Sequence, residues 1–284
     1  MGLRINTNID AMNIHNKLTK SNNNVSRSLE RLSSGLRVNR AKDDAAGFAV
    51  ANAFKAKISS LKVAQQNAAE ADTMLKIADG SYNKVHDILI RMKDLSTQAA
   101  SGQTENRDKL QLEFKDLQAE IDRIAGSTTY STKDASSMQL INDSSLQSDG
   151  MTFQVGATNT DNNTLNLKLD VACAQALKVD SATSNIGIDS IASAQAAMDA
   201  IDTALSSVND SMAKVGAMQN RLDFTVDNLA NQIENFSASE SAIRDVDMAA
   251  EMMQFTKNQI LQQAGVAMLA QANQAPQQVL QLIG

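Results

Sequence analysis

The chain has 284 residues, enough for one or two domains with a sizeable core, yet only 3% are aromatic, Trp is absent and Pro276 is the sole proline. A net charge of −6 and a pI near 5.0 exclude a general electrostatic case for binding nucleic acid or a membrane surface. One cysteine, Cys173, rules out an intrachain disulfide, and no run of about 18 apolar residues exists to span a bilayer.

Scarce proline leaves long stretches free to stay helical, because no ring interrupts the backbone hydrogen-bond ladder. Few aromatics imply a thin core of small side chains between closely approaching helices. At the N-terminus, MGLRINTNIDAMN lacks the continuous apolar core of a secretory signal peptide, so a secreted chain with this start needs an uncleaved export signal. Residues 1–42 hold eight basic residues, among them Arg37 and Arg40, against Asp10 and Glu30. That excess reads as a solvated helix face that meets acidic groups elsewhere in an assembly. In the same segment Leu18, Val25, Leu29, Leu32 and Leu36 recur at heptad-like spacing.

A longer track follows at Leu61, Ala64, Ala68, Ala71, Leu75, Ala78, Tyr82, Val85, Leu89, Met92 and Ala99, with only the Ser96 slot polar. Spacing of three and four over five heptads predicts a helix about 60 Å long, at 1.5 Å per residue. The pattern resumes at Leu110, Phe114, Leu117, Ile121 and Ile124 and is predicted to end on Gly126 as a C-cap. Residues 102–106 turn the chain between these two helices. From 127 to 187 the period is lost and Ser, Thr, Asn and Asp rise. Phe153 and Val155, then Leu165, Leu167 and Leu169, alternate with polar residues around the loop 156–164, which predicts a β-hairpin.

A third helical track runs Met198, Ile201, Leu205, Val208, Met212, Val215, Leu222, Val226, Leu229, Ile233 and Phe236. The C-terminal segment carries Ile260, Ala264, Ala267, Val279, Leu280, Leu282 and Ile283 as an apolar stripe with almost no charge. Stripes left in water cost roughly 25 cal/mol per exposed Å². They must therefore cover one another or meet copies in neighbouring subunits. The fold class expected is mainly α: a long coiled-coil helical bundle with a small β-hairpin region, plus paired terminal helices. Residues 1–45 with 238–284 form one discontinuous domain, and 46–237 form the other, with 127–187 outermost.

Two stretches carry a resemblance. INTNIDAMN (Ile5–Asn13) with LERLSSGLRVNRAKDDAAGFAVA (Leu29–Ala51), and SAIRDVDMAAEM (Ser241–Met252) with ILQQAGVAMLAQANQAPQQVLQLI (Ile260–Ile283), resemble the two ends of bacterial flagellin. The resemblance implies a secreted structural subunit that polymerises with itself into the flagellar filament, extracellular or in a periplasm. Its terminal helices would form the inner tube and the bundle with its hairpin the shell. It implies as further partners the flagellar cap and hook–filament junction proteins, the cytoplasmic flagellin chaperone and the type III export apparatus. A hook–filament junction protein and a cytoplasmic coiled-coil adaptor stay open as alternatives.

No catalytic, cofactor-binding or metal-binding motif is present, and the chain reads as a non-enzyme. His15 and His86 are isolated and read as exposed helix residues, and Cys173 reads as a small apolar residue. In LSSGLRVNRAKDDAAG, Gly35 and Gly47 read as breaks, while Arg37, Arg40, Asp43 and Asp44 can pair across subunits. The expected assembly residues are these four with Leu18, Val25, Leu29, Leu32, Leu36, Ile260, Leu269 and Leu280. LIRMKDLSTQ (Leu89–Gln98) with Glu113 resembles the segment that the vertebrate Toll-like flagellin receptor recognises. By that match Arg91, Leu95 and Glu113 are contact residues, with Arg91 off the core track and exposed.

Overall fold

The computed structural model describes residues 8–101, 106–130, 139–180 and 186–283, with side chains described as far as residue 274, Ser145 excepted. Among the described residues six α-helices and one hairpin follow in order: α1 (Ile9–Ser34), α2 (Ala45–Ala99), α3 (Arg107–Ser127), the short α4 (Ser144–Ser148), β1 (Met151–Gln154), β2 (Thr164–Leu167), α5 (Ile191–Arg244) and α6 (Met248–Ile283). The turn expected over 102–106 lies outside the described residues except for Asn106. Two compact units result, one of residues 1–58 with 234–284 and one of 59–233.

In the second unit the heptad track of α2 is the core. All eleven predicted apolar positions, from Leu61 to Ala99, are at most 2% exposed. The polar slot, Ser96, is buried too, and its hydroxyl donates to the Met92 carbonyl at 2.8 Å. Opposite them lie Phe114, Ile121 and Ala125 of α3 and Ala194, Ala197, Ile201, Ala204 and Val208 of α5, none more than 1% exposed. Alanine at so many facing positions lets helix backbones approach closely. α3 does not end on Gly126 as expected. Thr128 caps it, donating its backbone N–H and its hydroxyl to the Ile124 carbonyl at 3.0 and 2.7 Å.

The aperiodic stretch after α3 is more than an outer decoration. Leu140, Ile141, Leu146, Leu165, Leu167, Leu169, Ala172, Ala174, Leu177, Val179 and Ile188 join the same core cluster. The hairpin is antiparallel, pairing Met151 with Leu167 and Phe153 with Leu165. Gly150 leads into it at φ +70, where a Cβ would strike the Leu167 carbonyl at 2.8 Å. Residues 168–180 and 186–188 then lie over the helices without a sheet ladder, so their backbone groups need other partners. Helix side chains supply them. Gln118 donates to the carbonyl of Val179, Ala174 N–H donates to Asp122 Oδ1 at 2.8 Å, and Ile188 N–H donates to Gln111 Oε1. The Tyr82 hydroxyl donates to the Asp170 carbonyl, and the Asp170 carboxylate accepts from Ser211 Oγ at 3.1 Å and Lys214 Nζ at 2.7 Å.

This strap gives Tyr82 a pH dependence. Burial pushes its hydroxyl well above the ordinary tyrosine value, and the nearby Asp170 charge adds to the rise. The folded state thus favours neutral tyrosine, whereas the unfolded chain ionises near pH 10. The contribution is complete below about pH 10 and is lost as pH rises beyond it. Between about pH 9 and 11 the melting temperature of the native chain should fall more steeply than that of Tyr82→Phe. Parallel curves would remove Tyr82 from this role.

Candidate assembly surface

In the first unit, α1 begins at Asn8, whose side chain accepts the Ala11 N–H. The helix closes on Gly35 at φ +72, which donates its N–H to the Arg31 carbonyl at 2.8 Å. α1 packs antiparallel along α6. Asn8 Nδ2 donates to the Ala272 carbonyl at 2.9 Å, Ser21 Oγ donates to the Asn258 carbonyl at 3.0 Å, and Arg31 Nη1 meets Glu251 Oε2 at 3.5 Å. The facing positions follow heptads on both helices: Ala11, Ile14, Leu18, Ser21, Val25, Ser28 and Leu32 against Glu251, Phe255, Asn258, Gln262, Gly265, Leu269 and Ala272, all buried or half-buried.

That seam differs from the expected one. Leu18, Val25, Leu32 and Leu269 take part, each half-buried, but the fully buried members are polar: Ser21, Ser28 and Asn258. Leu29, predicted on the same stripe, is 57% exposed, and Ile260 is 60% exposed. The physical reason is position: Leu29 follows the seam residue Ser28, and Ile260 lies between Asn258 and Gln262, so both point away from the partner helix. Ile9, Met12, Met248, Met252, Met253, Leu261, Val266 and Met268 are exposed too. The helix pair thus buries polar groups most deeply in a mixed seam and turns many large apolar side chains outward, unlike a free-standing helical hairpin. Leu280 falls on α6, but its side chain lies outside the described residues.

Residues 35–44 form a clasp. Arg37 N–H donates to the Arg244 carbonyl at 2.6 Å, and Val246 N–H donates to the Gly35 carbonyl at 3.0 Å. Leu36, half-buried, pairs with Asp245 as a single antiparallel bridge. The four charged residues expected to pair across subunits have partners within the chain. Arg37 Nη2 donates to the Ile243 carbonyl at 2.7 Å, and Arg40 Nη2 meets Glu30 Oε1 at 2.8 Å. Asp43 Oδ2 accepts the Arg40 N–H at 3.1 Å, and Asp44 Oδ1 caps α2 by accepting the Gly47 N–H at 2.9 Å. Gly47 is therefore not a break. It lies in the first turn of α2, where a Cβ would approach Asp44 Oδ2 to 2.4 Å. Further along, Phe54 packs on Phe236 with ring centroids 5.7 Å apart, and Lys57 lies over the Phe236 ring. Residues 46–58 and 234–237 belong to the same compact unit as the terminal helices.

In the second unit, exposed Arg91 and half-buried Glu113 are joined: Arg91 Nε and Nη2 both reach Glu113 Oε1, at 2.9 and 2.7 Å. Leu95, the third expected contact residue, is only 1% exposed. It sits seven and fourteen residues beyond Ile88 and Ser81, in a column flanking the main track that also holds Met74 and Asn67. Ser81 and Asn67 bond to Thr128 and to the Gln154 carbonyl, so this column faces the covering segment and not solvent. His15 is exposed, His86 is half-buried, and Cys173 Sγ accepts the Ala176 N–H at 3.4 Å. Among the described residues no His, Cys, Asp and Glu cluster could hold a metal ion, and no helix is long and apolar enough to cross a membrane.

Comparison with known proteins agrees with the arrangement at both ends. Residues 5–135 match the bacterial flagellin N-terminal helical region, and residues 198–283 match the bacterial flagellin C-terminal helical region. The chain is 42% identical to a flagellin of Halalkalibacterium halodurans, over 98% of this chain and 99% of that protein. It is 38% identical to the flagellar filament 33 kDa core protein of Treponema phagedenis, over 98% and 99%. A flagellar hook-associated protein structure from Vibrio parahaemolyticus, 17% identical, shares the fold with a TM-score of 0.57 over 72% of this chain and all of that one.

Proposed function

Because the chain belongs to the bacterial flagellins, self-polymerising structural subunits of the flagellar filament, we propose that its terminal unit forms the filament's inner tube and its central unit the surrounding shell. The observation that carries this reading is the outward apolar surface of α1 and α6, from Ile9 and Leu29 to Met253, Ile260 and Met268. Large apolar patches on a subunit mark interaction sites. The central unit by contrast buries its own core within one chain.

A cysteine-protection experiment tests the placement, with Cys173→Ser as background. Met253→Cys and Asn159→Cys, in α6 and in the hairpin loop, both react with maleimide in the free chain. After polymerisation the α6 site becomes protected and the loop site stays reactive. The reverse pattern would exchange inner and outer layers.

Several partners follow from the same reading. The chain leaves the cell through the type III export apparatus, to a filament that is extracellular or periplasmic. The cytoplasmic flagellin chaperone covers the apolar face of α6 beforehand, and the cap and hook–filament junction proteins contact the same terminal helices at the filament ends. Deleting residues 260–284 should abolish chaperone capture in a pull-down; retained affinity would place that contact elsewhere. For the vertebrate Toll-like flagellin receptor, Arg91 and Glu113 offer a paired, accessible contact, while Leu95 contributes by holding α2 in place beneath them.

A further inference from the structure

We infer that the α1–α6 seam carries a register key, formed by the notch at Gly265 that receives Leu18 and by the Arg31–Glu251 ion pair. The inference rests on the reading that the outward faces of these helices meet neighbouring subunits. A heptad seam by itself tolerates a slip of seven residues, because every facing position is replaced by another facing position. Such a slip would move one helix past the other by about 10 Å. It would leave each helix intact and still change the surface they present together, since Leu29 on α1 would shift relative to Ile260 and Met268 on α6. A repeating polymer of head-to-tail contacts needs the same composite surface on every subunit. Some feature must therefore select one register.

The seam contains such features at separate levels. Gly265 is the only glycine within α6, and a Cβ placed there would meet Leu18 Cδ1 at 3.3 Å, tighter than ordinary contact. In a slipped register Leu18 would meet a residue that carries a side chain. Toward the other end Arg31, with 28% of its side chain exposed, faces Glu251, with 11%. A slip would separate these two half-buried charges and leave each without its partner, which is costly. Asn8 bonding the Ala272 carbonyl, and Ser21 bonding the Asn258 carbonyl, agree with the same register. These two points set the register along the helices, beyond the Arg37–Arg244 and Val246–Gly35 bonds that hold the end of α1 to the start of α6.

The experiment measures register directly, wherever the unit lies in the filament. Spin labels at Lys20→Cys and Gln259→Cys, in a Cys173→Ser chain diluted into unlabelled subunits, report the intrachain distance by pulsed electron resonance. The native seam should give one narrow distance. Gly265→Leu favours helix more than glycine does, so α6 persists, yet it fills the notch. Its distance should shift by about 10 Å or split into two populations, and adding Leu18→Ala should restore the single native value. Arg31→Glu should broaden the distribution, and Arg31→Glu with Glu251→Arg should narrow it again. Variants that do not polymerise are measured as free chains. A native distance in both Gly265→Leu and Arg31→Glu would overturn the inference, as would failure of both second-site changes to restore it. The cysteine-protection experiment fails or succeeds independently, because it reads solvent access and not register.

Discussion

Ile260→Asp and Leu29→Asp should each abolish seeded polymerisation while leaving the melting curve of the free chain unchanged. Both side chains are more than half exposed in the isolated chain, at 60% and 57%, and neither lies in the α1–α6 seam. A charge placed there stays hydrated in the free subunit. Covered by a neighbouring copy, the same charge loses its water without a partner, at a cost of several kcal/mol. Truncation is milder: removing a buried Leu or Ile side chain costs about 2–5 kcal/mol. Since about 1.4 kcal/mol is tenfold in an equilibrium constant, even Ile260→Ala should raise the critical concentration more than tenfold. Leu32→Asp makes a useful contrast, because Leu32 is half-buried against α6. It should impair both the pairing of the terminal helices and polymerisation. The measurement is pelleting of seeded polymer across a concentration series, with circular dichroism on the free chain. Normal polymerisation by Ile260→Asp and Leu29→Asp would mean that these faces meet solvent in the filament.

Phe114→Ala should produce the complementary result, with a destabilised central unit. Phe114 is 0% exposed in a core that holds few aromatic side chains. Deleting a buried phenyl ring costs about 3–5 kcal/mol, through lost burial and the cavity left behind. For a unit of this size that lowers the melting temperature by roughly 10 °C. Leu112, two residues earlier on α3, is 64% exposed, and Leu112→Ala should change stability by no more than about 0.5 kcal/mol. Below its melting temperature Phe114→Ala should still polymerise at near-native concentration, since the terminal faces are untouched. Calorimetry of both variants checks the pair. Equal melting of Phe114→Ala and Leu112→Ala would contradict the burial described for α3.

The core of the central unit was legible in the sequence because heptad spacing and burial are the same geometry. Residues three and four apart share one face of a helix, so Leu61 through Ala99 had to be buried together or exposed together. The alternation of Phe153, Leu165 and Leu167 revealed the hairpin for the parallel reason in a strand. Residues 170–180 were not legible as core. Their buried members, Ala172, Ala174, Leu177 and Val179, follow neither period, and their backbone is held by side chains of Tyr82, Gln118 and Asp122 distant in the chain. Ser21 and Asn258 were equally hidden, since a buried polar residue gives no hydrophobic signal. Only the structure shows that Ser21 lies against the Asn258 carbonyl.

By itself, then, the sequence determined the long helices, the helical core positions of the bundle, the hairpin and, through its two end motifs, the flagellin family. Tertiary structure alone decided which partner each stripe meets. Periodicity identifies a face that must leave water, but any surface that excludes water satisfies it. Leu95 turned inward because the segment after α3 covers its column of α2. Leu29 and Ile260 turned outward because α1 and α6 meet through the adjacent, more polar faces, closed by the Leu18–Gly265 fit and the Arg31–Glu251 pair. That choice follows from contacts between residues more than two hundred positions apart, which no local pattern in the chain encodes.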